Sequence, residues 1–145
     1  KAVDLYVIDE RPAASVATML GLPNAKAVYN RVYRALGLAE AHRENVAGQQ
    51  VAVAFLPVGE SQIELLESTG EGSPVARFLK KRGPGVHHIC FAVEDVKVAI
   101  AELQEKGFRL VNSSPVPGAQ GKNVAFLHPE SGKGVLIELA ERGKP

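Results

Sequence analysis

The chain of 145 residues contains one cysteine, one methionine and no tryptophan. A lone cysteine, Cys90, cannot build a disulfide framework within the chain, and it fits a reducing compartment. The cytoplasm is the expected location, or the mitochondrial matrix in a eukaryote. Aromatic residues make up only 6% of the chain, too few for a platform on which successive bases stack. Charge of one sign is lacking too. The formal net charge is +1, with acidic and basic residues interspersed, which argues against a nucleic-acid partner. No apolar run approaches the roughly 20 residues of a membrane-spanning helix. The length suits one domain with a sizeable core, or two small fused modules.

What the chain does have is centred on Gly85-Val86-His87-His88-Ile89-Cys90-Phe91-Ala92-Val93. A short apolar run bounded by turn residues reads as a buried strand. Neighbours on a strand face opposite ways, so one histidine of the pair meets packing and the other can meet a cavity. His87 reads as the packed one, with a backbone partner. Two acids occupy similar apolar strands: Glu64 in Ile63-Glu64-Leu65-Leu66 and Glu138 in Leu136-Ile137-Glu138-Leu139. Burying an imidazole and carboxylates is costly unless something pairs with them. A divalent metal ion is the simplest common partner.

The remaining elements follow from period and punctuation. Strands are predicted over Val3 to Ile8, Gln50 to Val58, Gln62 to Leu66, Phe108 to Asn112, Asn123 to Leu127 and Val135 to Ala140. Helices are predicted from Asn24 to about Leu36, over Val75 to Lys81 and from Val96 to Lys106. Ala13 to Leu20 is apolar and of unassigned type. His42 to Gly48 reads as a polar connection with an exposed His42, and Ser113 to Lys122 as a loop. An internal repeat is visible. Val53-Ala54-Phe55-Leu56, a turn and Ile63-Glu64-Leu65 are echoed by Val124-Ala125-Phe126-Leu127, a turn and Ile137-Glu138-Leu139. The class expected is α+β: two βαβββ modules related by a pseudo-two-fold, each with a curved mixed sheet, enclosing a cleft. Module one would span about 1–70, a linker helix 74–82 and module two about 85–140, all in one domain. Glu64 and Glu138 would face each other across the cleft. The repeat also asks for a ligand on the first strand, where Asp4 is a candidate.

From about Tyr33 to Glu141 the chain resembles the methylmalonyl-CoA epimerase family of the vicinal-oxygen-chelate superfamily, which also holds glyoxalase I. The resemblance is carried by Val53 to Gly59, Ile63 to Glu67, Ser73 to Ala76, Lys81 to Ile89 and Phe126 to Leu139. It implies a metal-dependent epimerase acting on methylmalonyl-CoA at C2 through a metal-stabilised enolate. His88, Glu64 and Glu138 would be metal ligands, Glu138 also the catalytic base, and the ion Co²⁺ or Mn²⁺. The partner implied is a small acyl-CoA substrate, and the assembly a homodimer. Two positions depart from the family pattern. Leu5 stands where the first strand usually carries a ligand histidine, which leaves open a site with three protein ligands, one that recruits Asp4, or an impaired one. Val53 stands where some members place a second catalytic glutamate. A glyoxalase-I-like isomerase or lyase, or a metal-poor binding protein of the same fold, are the alternatives.

Overall fold

The computed structural model describes residues 3–5 and 37–142. In chain order the elements are β1 (Val3–Leu5), β2 (His42–Val46), β3 (Val51–Val58), β4 (Ser61–Ser68), α1 (Pro74–Arg82), β5 (His88–Val93), α2 (Val96–Glu105), β6 (Val116–Pro117), β7 (Asn123–Leu127) and β8 (Leu136–Glu141). They form an α+β structure with two sheets, a five-stranded one in the order β1-β5-β8-β7-β6 and a three-stranded one in the order β2-β3-β4. β5 and β8 run parallel, and every other pairing is antiparallel. β1 pairs with β5 and also runs beside β4, so it lies where the two sheets meet.

The repeated sequence produces the same register twice. Phe55 lies opposite Glu64 and Leu56 opposite Ile63 in the β3–β4 hairpin. Phe126 lies opposite Glu138 and Leu127 opposite Ile137 in the β7–β8 hairpin. Alternation along the strands then sorts the side chains into faces. On one face of the larger sheet, Ala125, Leu127 and Leu139 pack under Val96 and Ile100 of α2. Fully burying such side chains is worth roughly 1.5–3 kcal/mol each. The opposite face carries His88, Cys90, Phe126, Leu136 and Glu138, with Cys90, Val124 and Ala140 forming a small buried cluster there. In the smaller sheet Val51, Val53 and Phe55 pack on Val75 of α1.

Local signals start both helices. Ser73 caps α1, its hydroxyl accepting from Val75 N at 3.1 Å, and Pro74 follows at the first helical position. Asp95 caps α2, its carboxylate accepting from Lys97 N at 2.7 Å and Val98 N at 3.1 Å. Such a cap is typically worth about 1 kcal/mol.

Three expectations need correction. His42 to Gly48 is no plain connection. Its first five residues form β2, an edge strand paired to β3; strand alternation is masked because its outer positions are polar. His42 itself is exposed, stacked on Phe55 at 5.7 Å between ring centroids. Phe108 to Asn112 is not a strand. Leu110 makes an isolated bridge to Leu127, and the Asn112 side-chain carbonyl accepts from Phe126 N at 2.9 Å where a ladder carbonyl would otherwise do so. The 113–122 loop contains β6 and a short 3₁₀ turn, Ala119–Gly121. The expected Tyr6 to Ile8 end of the first strand, the Ala13 to Leu20 stretch and the Asn24 to Leu36 helix lie outside the described residues.

Candidate functional site

Parallel pairing of β5 with β8 builds the site. His88 is level with Leu136, and Cys90 with Glu138, so the histidine and the glutamate share one face, two register positions apart. His88 Nε2 and Glu138 Oε2 are 2.6 Å apart, with side-chain exposures of 7% and 13%. Both groups are therefore largely withdrawn from water, where a charge is costly unless compensated. Phe126, opposite Glu138, stands edge-on to the His88 ring at 6.2 Å.

His88, 5% exposed, is the more buried of the pair, whereas His87, expected to be the packed one, is only partly buried and meets a side chain. Its Nδ1 lies 2.9 Å from Nδ1 of His88, so one ring donates and the other accepts. The His87 ring also meets Phe78 of α1 edge-on at 5.1 Å. Burial, and secondarily the neighbouring His88, push the His87 pKa down to about 4. It is a neutral imidazole at pH 7, fit to give or take the single hydrogen bond to its neighbour.

Glu64 occupies the matching place in the other hairpin but has other company. Its Oε1 accepts from Gln62 Nε2 at 3.1 Å, two residues away on the same strand face. Among the described residues no three His, Cys, Asp or Glu side chains gather as a ready-made metal site. The structure thus brings His88 and Glu138 together and does not bring Glu64 within the same cluster. Val53, 3% exposed, is embedded in the apolar cluster beside α1 and offers no acid or base. Asp4 is placed only by register: it falls opposite Cys90, whose other neighbour is Glu138. At the usual strand spacing this sets its backbone about 10 Å from that of Glu138.

The donor chemistry fits a divalent cation. An imidazole nitrogen and a carboxylate oxygen are donors that suit a borderline or hard metal, and here the two are in direct contact at 2.6 Å. Both residues stand out in the sequence, Glu138 through the repeat and His88 through its apolar strand.

A family model described as the glyoxalase/bleomycin resistance protein/dioxygenase superfamily matches residues 18–126. An ethylmalonyl-CoA/methylmalonyl-CoA epimerase of Cereibacter sphaeroides is 39% identical over 124 residues, covering 84% of this chain and 92% of that protein. The chain belongs to the methylmalonyl-CoA epimerase family of that superfamily. Its relatives include the mitochondrial methylmalonyl-CoA epimerase of Bos taurus, 39% identical over 121 residues, 83% of this chain and 67% of that protein. A Streptomyces coelicolor methylmalonyl-CoA epimerase variant in complex with 2-nitronate-propionyl-CoA superposes with a TM-score of 0.75 at 32% identity, covering 100% of this chain and 96% of that one. The likeness extends over the whole fold, so the glyoxalase-type architecture expected from the sequence is present.

Proposed function

We propose that this enzyme inverts methylmalonyl-CoA at C2, and that His88 and Glu138 are the centre of its site. The observation that carries the reading is the 2.6 Å approach of an imidazole nitrogen to a carboxylate oxygen on one sheltered sheet face, within an epimerase-family fold. His88 and Glu138 would hold a divalent ion, Co²⁺ or Mn²⁺ by family resemblance, with Glu64 as a further carboxylate donor. Such an ion supplies Lewis-acid stabilisation of the negative charge that develops on the substrate's oxygens, typically several kcal/mol.

The chain's own groups do the rest. The C2 hydrogen lies between a thioester and a carboxylate and is weakly acidic. Glu138 removes it from one face as general base and, in the reverse direction, returns it. His88 Nε2 and the carboxylate would share the ion, and His87 fixes the His88 ring through the Nδ1 contact. Phe126, beside both, keeps the face apolar. Proton delivery from the other face needs a second group, which Val53 cannot supply. The family resemblance also proposes a homodimer. The test is to incubate one epimer in deuterated water with added Co²⁺ or Mn²⁺. Deuterium at C2 is the expected result, and its absence would end the reading.

One observation favours a second reading. Among the described residues only two ligating side chains converge, which suits a metal-poor, non-catalytic binding protein of the same fold. Metal content after gentle purification separates the two. Protein that keeps no metal, and gains no activity on reconstitution, would be the binding protein.

A further inference from the structure

His88 has a neighbour at each of its ring nitrogens. Nε2 lies 2.6 Å from Glu138 Oε2, and Nδ1 lies 2.9 Å from Nδ1 of His87. A neutral imidazole carries one N–H and one lone pair. If the lone pair is at Nε2, where it can be given to a cation, the hydrogen is at Nδ1. A hydrogen there, on a side chain as buried as that of His88, needs an acceptor. His87 Nδ1 is within reach to be that acceptor. Were His87 Nδ1 the donor instead, a neutral His88 would carry its hydrogen at Nε2 and could not ligate through that atom. One atom of His87 thus decides what the next residue can do.

The His87 ring is held from its other side. It meets Phe78 of α1 edge-on, 5.1 Å between centroids at 71°, and meets the His88 ring edge-on at 5.2 Å and 84°. Phe78 also covers Gly85, where an added Cβ would touch its ring at 3.8 Å. α1 is itself fixed at its start. Ser73, fully buried, caps it, and Val75 packs with Val51, Val53 and Phe55 of the smaller sheet. A line of contacts therefore runs from the smaller sheet through α1 and Phe78 to His87, and on to His88 and Glu138 of the larger sheet. Packing alone would be satisfied by any flat ring at position 87 and does not ask for a nitrogen turned towards His88. Strand alternation would send the two side chains to opposite faces, but His87 stands one residue before β5 begins, outside that constraint.

We propose that His87 is a positioning residue: its Nδ1 accepts the Nδ1–H of His88, and so holds that ring in the tautomer and orientation that present the Nε2 lone pair to the ion His88 and Glu138 would share. The inference rests on the metal-site reading above. Two kinds of variant separate the hydrogen bond from the packing. His87→Phe keeps a flat ring against Phe78 and loses the acceptor, and His87→Leu is a second variant without it. His87→Asn loses the ring and keeps an oxygen near the place of Nδ1. Each is compared with wild type for Co²⁺ affinity, by competition with a chromophoric chelator, and for the ¹⁵N shifts of the His88 ring in Zn²⁺-loaded protein. Circular dichroism checks that each is folded. Wild type and His87→Asn should bind Co²⁺ within a few-fold of each other, with His88 protonated at Nδ1 and ligating through Nε2. His87→Phe and His87→Leu should bind about 10- to 100-fold more weakly, the usual cost of losing a partner that orients a ligating histidine. A merely structural His87 gives the opposite order, with Asn weaker than Phe. That order, equal affinity in all four proteins, or a wild type that takes up no ion would overturn the proposal. Should wild type and variants show the expected order of affinities while wild type exchanges no C2 proton, the positioning role stands and the epimerase reading falls. If wild type exchanges the proton and His87→Phe binds Co²⁺ as wild type does, the reverse holds.

Discussion

The β3–β4 and β7–β8 hairpins share a sequence pattern and a register, yet their glutamates have different partners. In both, a phenylalanine lies opposite the glutamate. Glu138 sits on a strand flanked on both sides, and its parallel neighbour β5 brings His88 to within 2.6 Å. Glu64 sits on β4, which its sheet pairs on one side only, and it accepts from Gln62 of its own strand. A repeated hairpin therefore sets where a carboxylate points, and the next strand over decides what it can do. The phenylalanines differ too: Phe55 is 2% exposed in a core cluster, whereas Phe126 is half-buried at the edge of the site.

If this comparison is right, the largest effect belongs to Glu138. Glu138→Gln should lower kcat for C2 inversion by about 10³-fold, within the range for loss of a positioned general base, while circular dichroism stays native. Next comes Phe55→Ala. It should cost about 3–5 kcal/mol in urea unfolding, and Phe126→Ala clearly less because its ring is already partly exposed. Equal costs would mean that the two hairpins are equally packed.

A smaller effect is tied to β5. The His87 pKa is about 4 in the folded protein against 6.5 for an ordinary histidine, so between those values the unfolded chain binds more protons. Stability is then full above about pH 6.5, falls as the pH drops towards 4 and levels off below it. The total loss is at most about 3 kcal/mol. Unfolding measured with chelator present should show this slope, and His87→Phe should remove it. The smallest effect is expected for Glu64→Gln, which keeps an oxygen donor in place. Activity should stay within about tenfold of wild type. A loss as deep as that of Glu138→Gln would show that the two carboxylates act as equals.

Much of this was legible in the residues. The hairpins could be read because apolar alternation and a repeated Val-Ala-Phe-Leu segment both point to strands. His88 and Glu138 could be read because ionisable groups in apolar strand interiors need partners. What escaped depended on neighbours distant in sequence. β2, with His42, Arg43, Glu44 and Asn45, looks like a loop until β3 is laid beside it. The 108–112 segment looks like a strand until the Asn112 side chain takes a ladder position. The partner of His87 was missed because adjacent strand residues point apart from the backbone, while their ring nitrogens can still meet. The place of Glu64 relative to the His88 pair could not be read for a related reason: a sequence repeat gives register within each sheet and not the distance between two sheets.

The central claim is that His88 and Glu138 work as one unit at the substrate's C2. Its most direct test is the rate of C2 deuterium exchange in wild type, His88→Ala, Glu138→Gln and the double variant, at saturating Co²⁺. Residues acting as a unit are strongly non-additive, so the double variant should be no more than a few-fold slower than the worse single one. If the two single losses instead multiply in the double variant, the histidine and the glutamate act independently and this account of the site is wrong.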